Sequence, residues 1–287
     1  MKILVLGGNR FFGKSVLLKL LQNKKNHIFL INRTKSKFKE ENITQINVDR
    51  KQINRIKAEF KKITFDVVFD NIAYQLKDVK NLEKIFKGKI KHYIFTSSVM
   101  TYLNLNQNCE VTEKDWFKKK SIRNMKNIYF SKEINYAKNK EKIEKYLINK
   151  SKLNYTILRI HNVIGNDDFS SKTKKLFSFN LENLGKNILS QPNYIQFCFK
   201  EDLIKIIIKI INKKKHTKNS FNVGNHKINL NNFFAKLKKK NFKKDRIIKD
   251  KKIFPLPINI LLDSAKIEKY LNFKFTSINK VIEKIKF

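Results

Sequence analysis

The sequence predicts an α/β fold: a doubly wound, mostly parallel sheet followed by a small C-terminal α/β lobe. Three observations carry that reading. A short apolar run, Lys2–Leu6, breaks at Gly7 and Gly8 and passes into a helical pattern. Further apolar runs of strand length recur as far as residue 160, separated by stretches of helical periodicity, the alternation of a sheet built from crossovers. Beyond residue 165 that rhythm fades.

The first fourteen residues, MKILVLGGNRFFGK, set the organisation. Strand, glycine turn and helix open a Rossmann-type dinucleotide-binding unit. Glycine lets the backbone approach a pyrophosphate closely. The first turn of a helix adds unpaired N–H groups at its positive dipole end. Gly7, Gly8, Asn9, Arg10, Phe11, Phe12 and Gly13 are therefore the expected cofactor cradle, with Gly13 leaving room for the helix to lie on the strand. The usual spacing puts a glycine at position 10, where this chain has Arg10. The helix that follows carries Val16, Leu17, Leu20 and Leu21 on one face.

The second strand, His27–Ile31, ends in Asn32-Arg33-Thr34. An acid at this place would take the ribose hydroxyls of NAD, whereas an arginine suits the 2′-phosphate of NADP. Arg33 and the lack of an acid predict NADP or NAD as cofactor, with NADP favoured. A third strand over Ile43–Val48 leads to Asp49, which either contacts adenine or caps a helix starting near Lys51. The fourth, Phe65–Ile72, places Asn71 and Ala73 at its carboxyl end, where ligands sit in open sheets. A helix follows with Val79, Leu82, Ile85 and Phe86 at helical spacing. Tyr93–Thr96 begins a fifth strand running into Ser97 and Ser98.

Residues 103–135 read as a polar, irregular loop over the site, a lid. The next helix is expected to open around Tyr136 and to carry Lys140, Ile143 and Leu147. Tyr155–Ile160 is the sixth strand, followed by His161 and Asn162. Further on, Leu203–Ile211, Asn229–Leu237 and Asp263–Leu271 read as helices and Ser220–Val223 as a strand. The expected division is a dinucleotide-binding domain over 1–165 and a substrate-binding lobe over 166–287, interleaved with it.

Composition narrows the class. The longest apolar candidate for a bilayer span, around Ile206–Ile211, is short and broken by Lys209. The N-terminus lacks a signal-peptide layout, so a cytoplasmic protein without a membrane partner is expected. Cys109 and Cys198 show no metal-ligand spacing, and no metal site is expected. The charge is unusual: 64 Lys+Arg against 24 Asp+Glu, a formal net +40. The basic residues are spread along the whole chain, and lysine, isoleucine and asparagine abound while glycine and proline are scarce. That is a compositional drift of an AT-rich genome rather than a localised nucleic-acid patch, though such charge promotes unspecific binding to polyanions.

Tyr136 and Lys140, at i and i+4, share one helix face. A free phenol is a poor base at neutral pH, its pKa being about 10. An adjacent ammonium is expected to lower that value, and a hydroxyl from Ser98 to polarise a reacting carbonyl oxygen. Such a trio suits hydride transfer to or from a nicotinamide.

GGNRFFG (7–13), FTSSVMTY (95–102), YAKNK (136–140), LRIHNVIG (158–165) and DSAKIEKYLNFKFTS (263–277) together resemble the signature segments of extended short-chain dehydrogenases/reductases, the NAD-dependent epimerase/dehydratase family. The resemblance covers nearly the whole chain. It implies that Ser98, Tyr136 and Lys140 are catalytic, that Lys140 also holds the nicotinamide ribose, and that Ser98, Tyr136 and Asn162 meet a nucleotide-sugar substrate. It also implies a homodimer. Arg10 resembles an atypical branch that includes chloroplast stem-loop-binding proteins. His161 departs from the aromatic or proline often found there.

The expected function is thus an NAD(P)-dependent oxidoreductase or epimerase acting on a nucleotide-activated sugar. The alternative from a different class is a catalytically silent Rossmann protein that binds RNA, motivated by the +40 charge and Arg10. A third is a redox sensor that binds NADP without turnover.

Overall fold

Ile3, Leu4, Val5 and Leu6 are all buried, as a strand covered on both faces requires. The computed structural model describes residues 1–34, 38–103, 105, 110–120, 131–177, 194–215, 217–239 and 260–286. Along the chain run β1 (Lys2–Leu6), α1 (Phe11–Leu21), β2 (His27–Asn32), β3 (Ile43–Asn47), α2 (Ile53–Phe60), β4 (Val67–Asp70), α3 (Leu76–Ile85) and β5 (Tyr93–Ser98), which ends in a 3-10 turn over Val99–Tyr102. Next come β6 (Glu110–Val111), α4 (Asp115–Lys118), α5 (Ser131–Asn149), β7 (Tyr155–Ile160), β8 (Val163–Ile164) and α6 (Lys172–Phe177). The remainder holds β9 (Tyr194–Ile195), β10 (Cys198–Phe199), α7 (Lys200–Ile211), β11 (Asn219–Val223), β12 (Ile228–Asn229), α8 (Leu230–Lys239), β13 (Leu261–Leu262), α9 (Ala265–Leu271) and α10 (Ile278–Lys284).

Seven strands form one parallel sheet in the order β11-β7-β5-β4-β1-β2-β3. The chain winds outward from β1 to β3, then returns to the other side of β1 and continues through β4, β5, β7 and β11. The strand order reverses between β1 and β4, and a crevice at such a switch point is where open α/β sheets bind ligands. In register, Leu6 lies beside Asp70, and Ser98 beside Ile160. The residues that follow these strands therefore emerge along one edge.

Both faces are covered. One apolar layer joins Ile3, Val5, Val16, Leu17 and Leu20 to Ile206, Ile207 and Ile210 of α7. The other joins Leu4, Leu6, Val68 and Phe95 to Ile56, Val79, Ile143 and Leu147 of α2, α3 and α5. A third cluster, with Phe197, Phe199, Phe233, Phe234 and Val281, sits in the C-terminal part of the chain. Among the described residues, no helix is long and apolar enough to cross a membrane.

Two expectations need correction. The helix that carries Tyr136 begins at Ser131, five residues early, because Ile134 and Ala137 also pack inward. The stretch 103–135 is not simply an irregular loop: β6 pairs with β13, and α4 buries Trp116 to 5% exposure. Burial of a large apolar side chain is worth roughly 1.5–3 kcal/mol, so Trp116 anchors α4 to the body of the protein. Within that stretch, residue 104, residues 106–109 with Cys109, and residues 121–130 lie outside the described residues.

Candidate functional site

The glycine turn is shaped by close packing. Gly7 takes φ 90°, a left-handed conformation that glycine tolerates, and a Cβ on it would come 2.6 Å from Ile72 Cγ2. A Cβ on Gly13 would sit 2.2 Å from the Gly7 carbonyl oxygen, so α1 can lie on the end of β1 only with glycine there. Gly8 is different. A Cβ on it would meet Leu30 Cδ1 at 2.9 Å and Leu17 Cδ2 at 3.0 Å. Its missing side chain makes room for the core beneath the turn.

Arg10 precedes α1 with φ −137° and ψ 150°, ordinary extended backbone, which is why a side chain is tolerated where a glycine was expected. Among the described residues no side chain caps the first turn of α1. Asn9 ties the turn to the end of β2: its amide donates to Thr34 Oγ1 at 3.1 Å, and its Oδ1 accepts from Asn32 Nδ2 at 2.6 Å. Phe11 is half-buried at φ 46°, whereas Phe12 packs against the core beside α1. Arg33 is exposed at the end of β2. Asp49 Oδ1 accepts from the Lys51 N–H at 2.8 Å, a local turn bond; it does not cap α2, which begins at Ile53 after Gln52 and has no side-chain cap.

Across the switch point, Asn71 reaches back to the Gly7 carbonyl at 3.5 Å and accepts from the Thr96 hydroxyl at 3.1 Å. Ala73 is buried, and its carbonyl accepts from Lys140 Nζ at 2.9 Å. The same ammonium donates to the Thr96 carbonyl at 2.7 Å and lies 4.6 Å from the Phe95 ring centre. Lys140 is 2% exposed, and burial pushes its pKa down to about 7, with Asp70 opposing.

Tyr136 is half-buried one turn earlier, its ring 5.6 Å from Lys140 Nζ. The Ser98 hydroxyl interacts with its phenol and favours the phenolate, but burial dominates and pushes the phenol up to about 12. That reverses the expected direction. The i, i+4 spacing does bring ammonium and phenol together, yet the ammonium is turned to two carbonyls and is itself desolvated. Ser98 Oγ also accepts from the Met100 N–H at 3.2 Å, which orients it at the end of β5.

Asn162 is half-buried beyond β7. Its N–H donates to His161 Nδ1 at 2.9 Å and its carbonyl accepts from Cys198 N at 2.8 Å, so its backbone joins β8 to β10. The structure thus brings Ser98, Tyr136 and Lys140 to one place at the carboxyl edge of the sheet. It sets the glycine turn beside them across β4 and leaves Arg33 and Asp49 at the far end of the same edge.

Three neighbours escaped sequence reasoning. Tyr74 lies 6.3 Å from the Tyr136 ring, and 5.2 Å from Lys140 Nζ, ring centre to nitrogen. Asp70 is fully buried; burial would raise its carboxyl, but the two-pronged pairing with Arg50, at 2.8 and 2.9 Å, holds it below its ordinary value. Glu144, one turn beyond Lys140, is buried against Arg159. The only available signal was the acidic residue at the end of an apolar strand and the third member of the i+4 series.

These residues fit a dinucleotide: the first turn of α1 follows the glycine turn and has no side-chain cap among the described residues, the setting in which backbone N–H groups take a phosphate. Comparison agrees. The NAD dependent epimerase/dehydratase family matches residues 3–224. Among solved structures, UDP-glucose 4-epimerase from Thermotoga maritima, determined with UDP-glucose, is 18% identical with a TM-score of 0.73, covering 99% of this chain and 98% of that one. UDP-glucuronic acid 4-epimerase from Bacillus cereus, in complex with UDP-glucuronic acid and NAD, is 18% identical with a TM-score of 0.70 over 99% and 97%. The dTDP-glucose 4,6-dehydratase from Bacillus anthracis, in complex with NAD, is 15% identical with a TM-score of 0.69 over 99% and 96%. At such identities the likeness is one of fold. A comparison with curated proteins finds no match.

Proposed function

Because the chain belongs to the NAD dependent epimerase/dehydratase family, we propose that it is an NAD(P)-dependent oxidoreductase or epimerase acting on a nucleotide-activated sugar. The observation that carries this reading is the convergence of Ser98, Tyr136 and Lys140 beside the β1–β4 crevice. The glycine turn, from Gly7 through Arg10 to Gly13, would hold the pyrophosphate, with Asn71 and Ala73 beside it. Lys140 would hold the nicotinamide ribose. Arg33 would meet a 2′-phosphate, which favours NADP, since no acid stands at the end of β2. Asn162 would meet the substrate's phosphates.

The bound nicotinamide would supply or accept the hydride. The chain's own part is the proton. Tyr136 would exchange it with a sugar hydroxyl or keto oxygen, and Ser98 would donate a hydrogen bond to that oxygen. Burial raises the phenol, so Tyr136 holds its proton at neutral pH. In that state it would act as a proton donor to a keto oxygen. To act as a base it would need the phenolate stabilised by Ser98 and by the Lys140 charge.

No comparison favours the nucleic-acid reading. The test is a thermal-shift screen against NAD, NADP and a panel of nucleotide sugars, since a ligand bound to the folded state raises its melting point. The expected result is stabilisation by a dinucleotide and a further rise with a nucleotide sugar. No rise with either dinucleotide would overturn the reading.

A further inference from the structure

We propose that Phe169 is a positioning residue for Arg10, and that the pair sets how tightly the cofactor's phosphates are held. This rests on the cofactor reading above. The Arg10 guanidinium carbon lies 5.5 Å from the centre of the Phe169 ring. That ring meets Phe11 edge to face, with centres 6.4 Å apart and planes at 82°. Two consecutive residues of the glycine turn therefore grip one phenylalanine that arrives from the segment after β8.

Phe169 is 64% exposed, so core burial does not explain it. Its loop is built to present it. Asp168 Oδ2 accepts from the Thr173 N–H at 2.8 Å and its hydroxyl at 3.0 Å, while Oδ1 accepts from the Ser170 N–H at 2.9 Å. The Gly165 N–H donates to Thr173 Oγ1 at 3.0 Å, and Lys200 pairs with Asp167. Strained backbone appears on both sides of the contact, at Phe11 with φ 46° and Ser171 with φ 58°.

The two cations beside this loop differ. Lys200 is neutralised by Asp167, whereas Arg10 has an aromatic partner but, among the described residues, no carboxylate. Among the described residues nothing neutralises that charge, and it stands where the first turn of α1 already favours an anion. A guanidinium stacked on a ring gives up little further freedom when it binds a phosphate, so Phe169 acts by preorganising Arg10.

The experiment is equilibrium titration of the full chain with NADPH and NADH, followed by nicotinamide fluorescence, for the wild type, Arg10→Gly, Phe169→Ala, Phe169→Leu, Phe169→Tyr and the double variant Arg10→Gly/Phe169→Ala. Arg10→Gly should weaken binding about tenfold or more, as for a charge-assisted hydrogen bond. Phe169→Ala and Phe169→Leu should weaken it roughly two- to fivefold, as for an exposed cation–π contact, and Phe169→Tyr should restore it. With Arg10 already replaced, Phe169→Ala should cost nothing more. Unchanged binding in Phe169→Ala, or an equal loss with and without Arg10, would overturn the positioning role while leaving the cofactor reading intact. A wild type that binds neither dinucleotide would overturn the cofactor reading itself, and this role with it.

Discussion

Arg159 and Glu144 face each other at 2.8 Å with neither side chain exposed to solvent. The pair joins β7 to α5, and Glu144 also accepts from the Ser97 hydroxyl beside Ser98. Arg159 Nη1 donates to the Tyr102 hydroxyl at 3.0 Å, and that hydroxyl donates to Asn222 Oδ1 at 2.7 Å. The Arg159 guanidinium also covers Trp116 at 4.7 Å. One buried pair thus fixes the helix that carries Tyr136 and Lys140 against the strand end that carries Ser98.

Removing one partner strands the other charge in the core. Arg159→Met should destabilise by about 3–5 kcal/mol, while replacing both residues with apolar ones of similar size should cost much less. Urea unfolding of the single and double variants checks this. A loss below about 1 kcal/mol in the single variant would contradict it.

Gly13→Ala places a methyl 2.2 Å from the Gly7 carbonyl, so α1 must shift off β1. Stability should fall by about 1–3 kcal/mol or more, and dinucleotide binding should be lost. Gly88 is the control. It has φ 71° with nothing within 4 Å of an added Cβ, so Gly88→Ala should cost about 1–2 kcal/mol and leave binding unchanged.

Lys140 gives up its proton at about 7 when folded but near 10.5 when unfolded. Between those values the unfolded chain binds more protons. Its contribution therefore makes stability rise with pH across that window, and is constant below it. Denaturant unfolding between about pH 7 and pH 10 should show a shallower rise for Lys140→Met than for the wild type. Equal slopes would contradict the desolvated ammonium.

Arg33 is exposed at the end of β2, where a 2′-phosphate would lie. Arg33→Ala should weaken NADP binding roughly tenfold and leave NAD binding unchanged. Equal losses for both cofactors, read by titration calorimetry, would remove the NADP preference.

Much of this architecture was legible in the residues themselves. Apolar runs such as Lys2–Leu6 and Tyr155–Ile160 announced buried parallel strands, and Gly7 and Gly13 announced the turn, because few other residues fit those positions. The i, i+4 pair of Tyr136 and Lys140 likewise has only one helix face to occupy. What stayed hidden depends on long-range contacts. Gly8 looks like its neighbour in sequence, and only Leu17 and Leu30 reveal that it serves the core. The start of α5 was masked by the polar surface of its first turns. The downward pull on Lys140 comes from its burial between elements distant in sequence, which spacing along one helix does not encode.

The proton chemistry is tested most directly by comparing the wild type with Tyr136→Phe, each loaded with NAD or NADP and mixed with nucleotide sugars, while reduced nicotinamide and product are followed. The account predicts turnover by the wild type, and a variant that binds dinucleotide as tightly yet turns over nothing. Equal turnover by the variant would contradict it.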